Sequence, residues 1–216
     1  MSKRASLLIV SFLCLSSMAS AGTITYVVTV NTSSIAGTAG SLDFNFNPGP
    51  LVTQAASLQI LGFSSDGTLA GGATLTGDVG GALPGTLTSD NGTAFNDYFE
   101  GFTYGTSLVF DVSLYGPALS SPDGTSTSGS TFAFSMFSDP AGTIPVLTSD
   151  TINGFAFTVD VNLDGTTTVT NSSSETTISP ASTVPEPNDF LLLGTALAWW
   201  GALRFRQQRR RRATIS

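Results

Sequence analysis

With 216 residues the chain has room for one core of ordinary size, and its formal charge of −7 conceals a complete separation of signs. The basic residues are Lys3 and Arg4 at the start and Arg204, Arg206, Arg209, Arg210, Arg211 and Arg212 at the finish, while Gly22 to Pro187 carries 14 Asp and Glu residues and no Lys, Arg or His. That segment can make no internal salt bridge and repels nucleic acid and phosphorylated ligands. Its carboxylates must be solvated, hydrogen-bonded to backbone or bound to cations, so salt or divalent cations should stabilise it.

In chain order, M-S-K-R is followed by the apolar A-S-L-L-I-V-S-F-L-C-L and the small-residue stretch S-S-M-A-S-A-G. A short positive region, an apolar run and small residues at Ala19 and Ala21 predict a signal peptide over 1–21, cut before Gly22. Cys14 leaves with it, so the mature chain has no thiol for a disulfide, a metal or nucleophilic attack.

From there strand follows strand with no helical periodicity. Short β-branched or aromatic runs bounded by Gly, Pro, Ser or Asn predict strands over 23–30, 42–46, 56–63, 74–83, 95–104, 108–115, 131–137, 155–161 and 166–170. Alternation turns Phe44 and Phe46 inward and Asp43, Asn45 and Asn47 outward; Phe132, Phe134 and Met136 share a face, as do Phe155, Phe157 and Val159. Asx-Gly-Thr recurs at Asp66, Asn91, Asp123 and Asp164 and reads as tight turns, the last of them as the clearest two-strand hairpin. The pattern predicts an all-β antiparallel sandwich of jelly-roll type over 22–170. The Ser/Thr-rich stretch 171–183 reads as a linker.

The chain then runs V-P-E-P-N-D, an apolar stretch from Phe190 to Leu203, and a basic tail over 204–212. Fourteen helical residues reach only ~21 Å, and Arg204 and Arg206 extend the span by snorkelling toward the interface. With Trp199 and Trp200 near the basic side, the segment reads as one transmembrane helix over about 190–205, its arginines a cytoplasmic stop-transfer block.

Val184, Pro185, Glu186 and Pro187, the apolar helix and the arginine cluster, in that order over 184–212, resemble the PEP-CTERM sorting signal of Gram-negative bacteria. The resemblance implies recognition by a membrane enzyme, exosortase, removal of the tail, and delivery to the cell surface or extracellular matrix. The stretch T-Y-V-V-T-V-N-T-S-S-I-A-G-T-A-G-S-L-D-F-N-F-N-P-G-P is similar to the opening of a group of PEP-CTERM proteins without an assigned activity. It implies a single ectodomain. Surface glycosylation is likewise an expectation of the family; the sequons at Asn31, Asn91 and Asn171 carry little weight by themselves.

The residue inventory removes most enzyme classes. Without His, Cys, Lys or Arg in the domain there is no triad, no Cys–His pair, no lysine base and no clamp for phosphoryl transfer. Carboxylate chemistry survives, with Asp97 and Glu100 as the pair a glycosidase would use, although surface acids explain them equally well. D-F-N-F-N-P-G at Asp43 has the start of an EF-hand loop, but Pro48 stands where that loop needs glycine and Gln54 where it needs glutamate. A structural calcium elsewhere, held by loop Asp and carbonyls, fits an acidic secreted sandwich. Sugar binding would need exposed aromatics, and F-N-D-Y-F-E-G-F-T-Y-G offers Tyr98 and Tyr104 as tentative sugar contacts.

The sequence thus describes a non-enzymatic exported protein with no cofactor, anchored in the membrane only until exosortase acts, and then at the surface or outside the cell. Exopolysaccharide is a candidate partner and nucleic acid is not. The alternative is a secreted carbohydrate-binding or calcium-dependent adhesion module.

Overall fold

The computed structural model describes residues 22–181, together with Thr195, Leu197, Trp199, Trp200 and Arg204 of the C-terminal segment. Strands β1 (Thr23–Asn31), β2 (Ala39–Pro48), β3 (Ser57–Ser65), β4 (Thr68–Leu69), β5 (Thr74–Thr76), β6 (Val79–Gly81) and β7 (Leu87–Asp90) make up the first half. After them come β8 (Asp97–Thr103), β9 (Ser107–Tyr115), one helical turn α1 (Pro117–Ser120), β10 (Ser130–Phe137), β11 (Phe155–Val161), β12 (Thr167–Asn171) and β13 (Thr176–Pro180). They form two antiparallel sheets: one six-stranded, in the order β13-β1-β9-β3-β7-β6, and one seven-stranded, in the order β12-β11-β10-β2-β8-β4, with β5 also paired to β8.

The sheets meet face to face because each central strand turns an apolar set inward. Phe110 of β9 packs across the gap, with ring centroids 5.4 Å from Phe44 of β2 and 5.1 Å from Phe134 of β10. Phe157 and Phe63 lie within 6.5 Å and 6.4 Å of the same ring. Both Phe–Phe contacts closest to Phe110 are edge-on, the arrangement the ring quadrupole favours. Phe46, Phe132, Val28, Leu108 and Val112 are fully buried around them.

The outer face of the larger sheet departs from the alternation expected of a solvated surface. Asp43, Asn45 and Asn47 do point away from the core, but Ser41, Asn45, Ala133 and Ser135 on that face are buried. The connection from 138 to 154 folds back over part of it. The Asp139 carbonyl accepts from Ser41 Oγ at 2.9 Å, Pro145 bridges Phe137, and the Phe99 ring lies against Gly142. At one end of β2 the chain approaches so closely that a Cβ on Gly40 would stand 2.6 Å from the Tyr104 ring.

Two sequence expectations are corrected. The stretch 171–183 is not a linker as far as Pro180: β13 pairs with β1 from Val30↔Thr176 to Tyr26↔Pro180, and Ala181 N–H donates to the Thr25 carbonyl at 2.8 Å. As an edge strand β13 needs little apolar content, and half-buried Ile178 is the residue it packs against the core. The single strand expected over 74–83 is two strands in different sheets, β5 and β6. Gly77 divides them at φ +72°, where a Cβ would meet the Phe95 carbonyl at 2.2 Å. Of the Asx-Gly-Thr turns, Asp164-Gly165 closes the β11–β12 hairpin, whereas Asp66-Gly67 and Asn91-Gly92 carry the chain from one sheet to the other.

The second unit, 182–216, is described only at its five positions, which are helical; the Arg204 guanidinium lies 4.1 Å from the centre of the Trp200 ring. Among the described residues no helix is long and apolar enough to cross a membrane. The expected signal peptide, Val184–Pro187, and Arg206 and Arg209–Arg212 lie outside the described residues, as do Ala19 and Ala21.

Candidate functional site

Strands β2 and β8 pair so that Asn45 stands opposite Asp97 and Asp43 opposite Phe99. Parity puts Asp43, Asn45 and Asp97 together on the outer face, since Phe44, Phe46 and Tyr98 occupy the inner one. Asn45 Nδ2 donates to Asp43 Oδ1 at 2.5 Å. Burial pushes the Asp43 carboxyl up to about 9, and the neighbouring Asp97 carboxyl adds to the effect.

The cluster is under-satisfied. Asn45 is 8% exposed, and neither its Oδ1 nor the buried Oδ1 of Asp97 has a hydrogen-bond partner. Such atoms are uncommon in folded proteins, because an unpaired buried acceptor costs about 1–3 kcal/mol. The neighbouring Asn96 has its whole amide engaged, by contrast. Asn47 Oδ1 accepts from Asn96 N–H at 2.6 Å, and Asn96 Nδ2 donates to the Phe46 and Thr93 carbonyls, each at 2.9 Å.

Other acids on the domain are spent on the backbone. Asp66 is hydrogen-bonded by the Thr106 hydroxyl and by the N–H groups of Ser107 and Thr106, and these hold its carboxyl below the usual range. Asp123 is lowered by the N–H groups of Ser126 and Thr125, and Asp164 by the Thr166 hydroxyl and N–H. These are turn locks.

Glu100 and Asp97 are three residues apart on one strand, so they face opposite sides of the sheet and do not form a pair. Glu100 is buried on the core side, accepting from Tyr98 Oη and from Gly71 N–H at 3.1 Å. Tyr98 and Tyr104, read from sequence as tentative sugar contacts, are 1% and 2% exposed. Tyr98 Oη also accepts from Leu83 N–H at 3.1 Å, and Tyr104 Oη faces the Ser41 and Phe137 carbonyls at 2.9 and 3.0 Å. Burial raises both phenols above their ordinary range. Neither ring can stack on a sugar; both are core residues with a polar tip. The sequon amides are engaged too: Nδ2 of Asn31 donates to Glu175, that of Asn91 to Gln54 and Ser130, and that of Asn171 to Thr176.

Of the signal-cleavage residues only Gly22 is described; it is half-buried beside the first residue of β1. Two cavities, one lined by Gln54, Ser128 and Asn162 and one by Leu58, Ser89 and Tyr98, each have room for about one water molecule. No protein-family model matches the chain, and no curated protein or solved structure matches it.

Proposed function

We propose that this is an exported, non-enzymatic protein of the cell surface or extracellular matrix, sorted by exosortase through Val184–Pro187, the apolar run and the arginine block. The observation that carries the reading is the order of those three features behind an acidic domain that holds no cationic side chain. The lack of enzymatic activity is supported by the residue inventory and by the placement of Asp97 and Glu100 on opposite faces of β8. We read the sandwich as jelly-roll-like, because β1, β2, β3 and β4 alternate between the sheets and β9 and β8 fill the places beside β1 and β2.

The test is intact-mass analysis of the protein recovered from the surface of an exosortase-bearing host. The expected species begins at Gly22 and ends near Pro187. A surface species that still carries Arg209–Arg212, or one unchanged when the exosortase is deleted, would overturn the sorting assignment.

A further inference from the structure

We propose that the free edge of β12 takes a second copy of this chain, the two β12 strands pairing antiparallel about Val169 so that two seven-stranded sheets become one. Hydrogen-bond parity decides what this edge offers. Asn162 N–H donates to the Thr166 carbonyl and Ser172 N–H to the Ala156 carbonyl, so even-numbered residues of the ladder face β11. The N–H and C=O groups of Thr167, Val169 and Asn171 face away from it, and among the described residues they have no partner. The other edges are blunted, as edges of soluble sheets usually are. On β13 the odd-numbered residues face β1, so Thr176, Ile178 and Pro180 point outward. Pro180 has no N–H, and Thr176 has its N–H on the Ser173 carbonyl and its own carbonyl under Asn171 Nδ2, which leaves Ile178 alone. Strand β6 has three residues and ends in Gly81 at φ +90°, and β4 and β5 are shorter than β12 and separated by Gly71 and Gly72. Strand β12 has five residues without proline, charge or bulge.

The pattern of the edge selects the occupant. Its outward residues, spaced by two and centred on Val169, are self-complementary about a two-fold axis. Val169 meets Val169 of the second copy and Thr167 meets Asn171, which satisfies every outward group on both strands. The same register sets exposed Thr168 opposite Thr170 of the second copy, a favourable cross-strand pair. Charge points the same way. A domain with acids and no cation repels its own kind, but β12 holds no acid. Asp160, one strand behind, stays three strand spacings of ~4.8 Å from its counterpart, beyond the ~8 Å screening length of physiological salt. A foreign strand would find no pocket to select its side chains, since threonines line the exposed face of this edge. So short an edge falls below the ~1,200 Å² of a stable interface, which makes the pairing weak and concentration-dependent. The pairing stands whether or not the sorting signal operates.

The experiment is residue-resolved hydrogen exchange on the full chain in detergent, compared between about 50 µM and about 1 mM protein, with sedimentation velocity in parallel. Exchange at Thr167, Val169 and Asn171 should slow by at least about threefold at the higher concentration, while Ile178, the free amide of β13, keeps its rate. Thr168→Lys with Thr170→Lys, and Thr168→Glu with Thr170→Glu, each set like charges opposite one another and should abolish the concentration dependence at Val169. Mixing the two variants should restore it, because position 168 of one chain lies against position 170 of the other. Both threonines are exposed, and the wild-type exchange profile decides the matter even if a variant does not fold. Exchange at Val169 that is independent of concentration, equal slowing at Ile178, or a mixture that pairs no better than either variant alone would each overturn the proposal.

Discussion

Removing one hydroxyl, with Tyr104→Phe, isolates what the buried tyrosine tip contributes. The ring stays in place against Gly40, so no cavity opens, and only the polar tip between the Ser41 and Phe137 carbonyls is lost. A phenol has one proton for these two acceptors, so the loss is one buried hydrogen bond plus weaker satisfaction of a carbonyl, about 1–2 kcal/mol. For a domain of this size each kcal/mol lowers Tm by about 2–4 °C. Urea denaturation of the full chain in detergent should show a lower midpoint with an unchanged slope, while Tyr115→Phe, at a half-exposed position, serves as control. A loss below about 0.5 kcal/mol, the size of an ordinary surface substitution, would refute the view that this hydroxyl ties the end of β8 to β2 and β10.

Phe110→Ala should cost about 3–5 kcal/mol by denaturation, since the ring bridges both sheets; a cost near that of an exposed residue would mean the sheets do not share this core. Thr177→Pro, placed opposite Thr29 in the β1–β13 ladder, should destabilise the domain and raise hydrogen exchange at Val27 and Thr29, whose N–H groups face β13, whereas a linker would tolerate it. Stability should be greatest on the acid side of neutrality. Asp43 is raised from 3.8 to about 9, so its contribution is complete below its unfolded value and is lost as pH rises toward 9. Asp66, Asp123 and Asp164 are lowered, so theirs is present above the ordinary aspartate range and lost as pH falls below it. Thermal melts from pH 3 to 9 should therefore rise and then fall, and Asp43→Asn should flatten the alkaline limb; a limb that rises toward pH 9 in the wild type contradicts the buried carboxyl pair.

Strands with two apolar residues in alternation, such as β2, β10 and β11, could be read from sequence because burial writes period two into them. Leu87–Asp90 and Thr176–Pro180 could not, since each carries one apolar residue and gains its order from a neighbouring strand. The alternation also put Asp43 and Asn45 on one face. What it could not supply was Asp97, which arrives from β8 by a pairing between residues more than fifty positions apart. Nor does local sequence report that Tyr98 turns to the core side beside Leu83 and Glu100, or that Tyr104 closes against Gly40 and the Phe137 carbonyl, and so both, with the polarity of surface aromatics, read as exposed. Asp66 and Asn91 show the same limit: the dipeptide specifies a bend, while the destination of the next strand depends on which sheet has an open edge.

Because β13 runs antiparallel to β1 and ends opposite Tyr26, the start of β1 and the end of β13 leave the sandwich side by side. Tension on these two ends would load that one edge ladder in the peeling direction, one hydrogen-bonded pair at a time, and the strands behind β1 would yield only after it had opened.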